Sequence, residues 1–176
     1  MIQKLTIHDF DKIFSLMQLS FPKDEYRPYE KQKELFQNPK YSIYGLPDPE
    51  RNDIKGFISA WQFRDFVFIE HFAVNPAYRN QGLGSHILQQ LVSMTPYQLC
   101  LEVELPENHM TRRRIGFYER NNFVLNDYPY IQPSMAAGQN PVPLMIMTSQ
   151  NRISKDRFEQ IRTALYKEVY QVSCSE

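Results

Sequence analysis

The stretch YRNQGLGSHIL, Tyr78 to Leu88, joins two segments of different period. Before it lies the apolar run FVFIEHFAV, Phe66 to Val74, rich in aromatic and β-branched residues that suit a strand. After it, SHILQQLVSM places Ile87, Leu88, Leu91 and Val92 on one helical face. Gln81 to Ser85 therefore read as the first turn of a helix fed directly by a strand. The first N–H groups of a helix have no partner within it. The helix dipole makes that end attractive to anions, by roughly 0.3–1 kcal/mol per exposed charge. Gly82 and Gly84 allow close approach to the backbone, and Arg79 adds a positive charge just before the turn. A dinucleotide fingerprint would require glycine at position 87, where Ile87 stands, and no Gly-Lys-Ser/Thr phosphate loop occurs. What remains is Arg79-x-x-Gly82-x-Gly84, either an anion-binding turn or a tight structural connection.

Upstream, IKGFISAWQF and FVFIEHFAV flank Arg64-Asp65 and predict a β-hairpin. MIQKLTI alternates like a strand, Phe10, Ile13, Phe14 and Met17 have helical spacing, a more polar helix ends at Asn38-Pro39, and YSIYGL reads as a short strand. Downstream, YQLCLEVEL predicts a strand, TRRRIGFYERNN a helix, FVL a short strand and NDYPYIQPSMAAGQNP a long loop. VPLMIMT closes the sheet, and SKDRFEQIRTALYKEVYQV forms a last helix with Phe158, Ile161 and Leu165 aligned. Strands alternate with helices, but a hairpin lies mid-chain. The expected fold is therefore α/β (α+β), a mixed, mostly antiparallel sheet of about six to seven strands flanked by helices.

The chain of 176 residues fits one domain with a sizeable core, 42% of it hydrophobic. Lys+Arg and Asp+Glu balance at 20 each, so bulk charge points to neither nucleic acid nor an anionic membrane. Cys100 and Cys174 match no disulfide framework or zinc spacing, and His8, His86 and His109 have no partners at ligand spacing, so no metal is expected. With no signal-like stretch and no membrane-length apolar run, a reduced cytoplasmic setting is expected.

More than the glycines match a known pattern. IEHFAVNPAYRNQGLGSHIL, with Val74, Pro76, Tyr78 and Arg79 in place, resembles the acetyl-CoA signature of the Gcn5-related N-acetyltransferase (GNAT) family. GFYERNNFVL resembles that family's second element, at the expected distance. The resemblance covers 1–150, a GNAT-like acetyl-CoA-binding domain, and leaves 151–176 as a C-terminal helix packing on that domain or on a partner subunit. It implies an acetyl-CoA-dependent N-acetyltransferase acting on a small-molecule or peptide amine, as a monomer or homodimer. The alternative is a coenzyme A-binding sensor without turnover. It further implies that Arg79, Asn80, Gln81, Gly82, Leu83, Gly84 and Ser85 hold the coenzyme pyrophosphate. The backbone of Phe72, Ala73 and Val74 would pair with the pantetheine arm like an added strand, where this strand splays from QLCLEVEL. Two departures stand out: Thr111 occupies the place of a helix-opening Asn, and Asn122 that of a Gly. Asn is the next-best residue for a left-handed helix end.

Amine acetylation needs a base for the attacking nitrogen and an acid for the leaving thiolate. Alternation puts Glu70 on one strand face with Phe66, Phe68, Phe72 and Val74. A carboxylate there must be paired or face a cavity. Glu70 is therefore a base, direct or through water, or a strand Glu bonded to a neighbouring Arg or Tyr. The resemblance places Tyr118 near the thiol, as acid or as packing. Glu102 and Glu104 are further carboxylates on the next strand, acceptor-binding, catalytic or solvated, and Arg112 to Arg114 read as a solvated face. SFPKDEYRPYE lies where the family walls its acceptor pocket, so Glu25 and Tyr26 are candidate acceptor contacts, joined by Tyr130 from the later loop. Acidic and aromatic groups together suit an ammonium.

Overall fold

The computed structural model describes residues 1–172, which fall into two compact units: Met1–Pro22 with Pro28–Leu101, and Lys23–Arg27 with Glu102 onward. Cys174 lies outside the described residues.

The first unit opens with β1 (Gln3–Lys4), only two residues of the expected strand, paired antiparallel to β2 (Tyr41–Asp48). A single 3-10 turn, Ile7–Asp9, enters α1 (Phe10–Ser20), whose Phe10, Ile13, Phe14 and Met17 are buried. The short helix α2 (Tyr29–Glu34) tightens into a 3-10 turn that ends before Asn38. β3 (Asp53–Gln62) pairs antiparallel with β2 and with β4 (Phe66–Val74), closing the expected hairpin. Next comes α3 (Leu83–Ser93), then β5 (Gln98–Glu104), of which Gln98–Leu101 belong to this unit and run parallel to Phe66–Ile69. Phe57, Ile58 and Trp61 of β3, Phe68 of β4, and Ile87 and Leu88 of α3 are fully buried. A Cβ at Gly56 would lie 2.8 Å from Ile87 Cδ1 and 2.9 Å from the Ala73 carbonyl oxygen. Glycine thus lets α3 press directly onto the β3–β4 ribbon.

In the second unit, α4 (His109–Arg120) starts at Asn108, whose side chain accepts from the Thr111 N–H at 3.0 Å, while Thr111 Oγ1 accepts from the Asn108 N–H. This reciprocal cap is what Thr111 does at the departure from the family pattern. Just past the C-cap, Asn121, Asn122 adopts φ 65°, the left-handed conformation expected of it. β6 (Phe123–Gln132) and β7 (Val142–Ser149) pair antiparallel. Here the loop expectation is corrected: β6 runs seven residues beyond FVL. The register slips between Asn126 and Tyr130, and Pro129 falls inside that slip. A bulge on an edge strand accommodates a proline that a regular ladder would refuse. α5 (Lys155–Ala164) is capped by Ser154 and widens into a π-turn, Leu165–Val169, with Phe158, Ile161 and Leu165 buried. Strand order through the seven-stranded sheet is β1-β2-β3-β4-β5-β7-β6.

Candidate functional site

The Gly turn begins where β4 stops. Asn75 caps a 3-10 turn, Pro76–Tyr78, and the Asn75 N–H bonds back to the Lys55 carbonyl at 2.9 Å. The Tyr78 hydroxyl donates to Asp48 Oδ2 at 2.6 Å, with Arg51 and Lys55 over its ring, so the β2–β3 hairpin anchors the approach. Arg79 Nε donates to the Val74 carbonyl at 3.3 Å. Asn80 and Gly82 are left-handed, at φ 62° and 72°. Gly82 is the N-cap of α3, so the helix opens at Leu83 and not at Gln81. The N–H groups of Leu83, Gly84 and Ser85 are its outward-pointing first three, while Gln81 precedes the cap. A Cβ at Gly82 would meet nothing within 4 Å. The space before the helix end is open, which fits an anionic group at this turn.

β4 carries the second feature. Its pairing with β5 reaches Ile69↔Leu101, whereas β4 itself continues through Phe72 and Ala73 to Val74. On the other side the β3 register shifts: Ser59 opposes His71 and Ala60 opposes Ile69, leaving Glu70 as the extra residue of a bulge. The Ser59 hydroxyl accepts from the His71 N–H at 3.0 Å and secures the bulge. The Glu70 side chain is 1% exposed, and Oε2 accepts from Trp61 Nε1–H at 3.0 Å, with His71 Nδ1 3.7 Å away. Strict alternation missed this arrangement because it allows for no bulge. The hairpin itself held the signal for Trp61. Trp61 opposes Phe68, which makes it a diagonal neighbour of Glu70 on the same face.

The other candidate side chains lie in the second unit. Tyr118 is buried between Phe117 and Phe123, and burial pushes its phenol up to about 12, against a smaller lowering by Arg114. Among the described residues its hydroxyl makes no hydrogen bond. Glu25 sits in a 3-10 turn, Lys23–Glu25, and its carboxyl is raised from 4.5 to about 7. Burial contributes most, then the charge of Glu104; Arg114 opposes them. Arg114 pairs with Glu104 at 2.9 Å, so one member of the Arg run is structural. The turn is tied down from several sides. Gln139 Nε2 donates to the Lys23 and Tyr26 carbonyls, Gln132 Nε2 to the Asp24 carbonyl, and Arg27 to the Val169 carbonyl.

Tyr130 is buried against Phe158, and its hydroxyl donates to Glu102 Oε1. Burial, then the Glu102 charge, raises that phenol well above its ordinary value. Tyr170, just past the π-turn, donates to the same carboxylate at 2.7 Å. Tyr170 escaped the sequence reading because it lies 68 residues from Glu102. Among the described residues no group of three or more His, Cys, Asp or Glu side chains is placed to hold a metal.

Comparison with known proteins bears on these features. The family model for the acetyltransferase (GNAT) family matches residues 10–123. A protein assigned to the GNAT acetyltransferase family from Bacteroides thetaiotaomicron is 34% identical, over 98% of this chain and 99% of that one, with a TM-score of 0.86. The ribosomal-protein-S18-alanine N-acetyltransferase from Escherichia coli shares the fold at 19% identity, covering 89% of this chain and 96% of that one, with a TM-score of 0.65. An aminoglycoside 6'-N-acetyltransferase complexed with coenzyme A does so at 17% identity, covering 85% and 96%, with a TM-score of 0.62. No curated protein matches the chain.

Proposed function

The chain belongs to the GNAT family of acetyltransferases, and on that premise we propose that it moves an acetyl group from acetyl-CoA to a primary amine by direct attack in a ternary complex. The observation that carries this reading is the left-handed Gly82 cap, with open space before the first amides of α3. Bound there, acetyl-CoA supplies an activated thioester. The amides of Leu83, Gly84 and Ser85 hold its pyrophosphate, with Arg79, Asn80 and Gln81 at the entry to the turn. The backbone of Phe72, Ala73 and Val74 at the end of β4 receives the pantetheine arm as an added strand.

Glu70 takes the proton of the attacking nitrogen through a water, as its small exposure requires. Tyr118 gives its proton to the leaving sulfur. Its high pKa keeps it protonated at any working pH, and its hydroxyl is not committed to another group. Glu25 and Tyr26 receive the acceptor ammonium, and Tyr130 acts on that side by holding Glu102. Tyr170, from the C-terminal segment, holds the same carboxylate. A reducing, cytoplasmic setting agrees with Cys100 as a buried thiol outside any disulfide, and no described helix is long and apolar enough to cross a membrane. A panel of amines tests the proposal: small amines, polyamines and peptide N-termini, each with acetyl-CoA and a thiol-release readout. Release that requires one amine class supports it. Binding of acetyl-CoA without amine-dependent release overturns it.

A further inference from the structure

The β-bulge gives Trp61 a part in the chemistry. Register slips that leave one residue unopposed re-aim a side chain. Here the unopposed residue is Glu70, and its carboxylate turns to the indole of the strand beside it. An indole N–H can only donate. At 3.0 Å it fixes one carboxylate oxygen and supports the charged form in a place with almost no water. Trp61 is itself closely packed: 1% exposed, with its ring edge-on to Tyr41 at 5.2 Å between centroids. The Tyr41 hydroxyl in turn accepts from Gln32 Nε2 at 3.1 Å. The donor therefore stands on a chain of contacts reaching from β3 through β2 to α2.

We propose that Trp61 is a positioning residue for catalysis, its indole N–H holding the Glu70 carboxylate in the orientation from which it takes the acceptor's proton. The inference rests on the reading of Glu70 as base. His71 on β4 has its Nδ1 3.7 Å from the carboxylate. β3 brings Ser59, α1 leads into Phe21 against the His71 ring, and β5 pairs alongside through Leu99, Cys100 and Leu101. His71 and Cys100 are titratable groups of these strands that must be separated from Glu70.

Trp61 is the single tryptophan of the chain, so its indole N–H resonance is unambiguous in the native protein. That resonance is expected to move with pH at the midpoint of the acid limb of kcat/KM, and to stop moving in Glu70→Gln. A flat resonance in the native protein, or one that still titrates in Glu70→Gln, overturns the inference. Kinetics provides the second arm. Losing a donor to the charged form raises a carboxyl's pKa. Trp61→Phe should therefore shift the acid limb upward by about one pH unit, losing about tenfold in kcat/KM below the limb and little above it. A uniform loss at every pH marks a packing role and overturns the inference while leaving Glu70 as base. Persistence of the limb in Glu70→Gln overturns both.

Discussion

Glu25 titrates inside the pH range in which an enzyme works, and the sign of the effect can be stated. Its carboxyl is raised by burial, then by Glu104, from 4.5 to about 7. Below about 4.5 it is neutral in both the folded and the unfolded chain. As pH rises through about 7 the folded form must also ionise, so stability present in acid is lost across that window. Glu25→Gln should leave Tm unchanged near about pH 4 and raise it near about pH 8, in parallel melts. The same charge should attract the acceptor: KM for the amine should fall as pH rises through about 7 in the native enzyme and stay flat in the variant. A native KM profile without that slope removes Glu25 from the acceptor site. For Tyr118, loss of the hydroxyl alone is diagnostic. Tyr118→Phe should lower kcat by roughly 100-fold or more while acetyl-CoA affinity changes little. Equal losses in both would make Tyr118 a packing residue. Neither pKa was legible in the sequence, because each depends on burial and on partners brought together only by folding.

Among elements, the turn from β4 into α3 was the most legible, since glycines, an arginine and a change of period announce it locally. Its fine structure was not: a left-handed Gly82 moves the start of α3 to Leu83. That conformation makes Gly82→Val doubly harmful. A side chain there costs roughly 1–2 kcal/mol in backbone strain and fills the open space before the helix. The variant should melt lower, and isothermal titration should show no acetyl-CoA binding. Retained binding would move the pyrophosphate site elsewhere. β6 was read less well, because Tyr-Pro-Tyr looks like a loop unless the slip between Asn126 and Tyr130 is known. The bulge at Glu70 hid for the same reason. A one-residue slip leaves no mark in composition, yet it redirects every side chain beyond it.

At the scale of the whole molecule, ligand binding should appear as stability. Acetyl-CoA at about 100 times its dissociation constant should add about 2.7 kcal/mol, or roughly 5–10 °C in Tm. A flat thermal shift at millimolar acetyl-CoA would remove the coenzyme from this protein. The fold as a whole was legible because its period changes are local. What escaped was the way distant segments combine. Residues 23–27 are flanked in the chain by the first unit but belong to the second. Their partners, Gln132, Gln139 and Val169, stand 108, 116 and 142 residues further on. A ribosome releases Lys23 to Arg27 long before it has made Gln132, Gln139 or Val169. Through most of synthesis the segment proposed to meet the amine lacks these hydrogen bonds. The bond from Arg27 to Val169 forms only after the last helix has left the exit tunnel, so a nascent chain halted before Val169 would have its Gly turn without that anchor of residues 23–27.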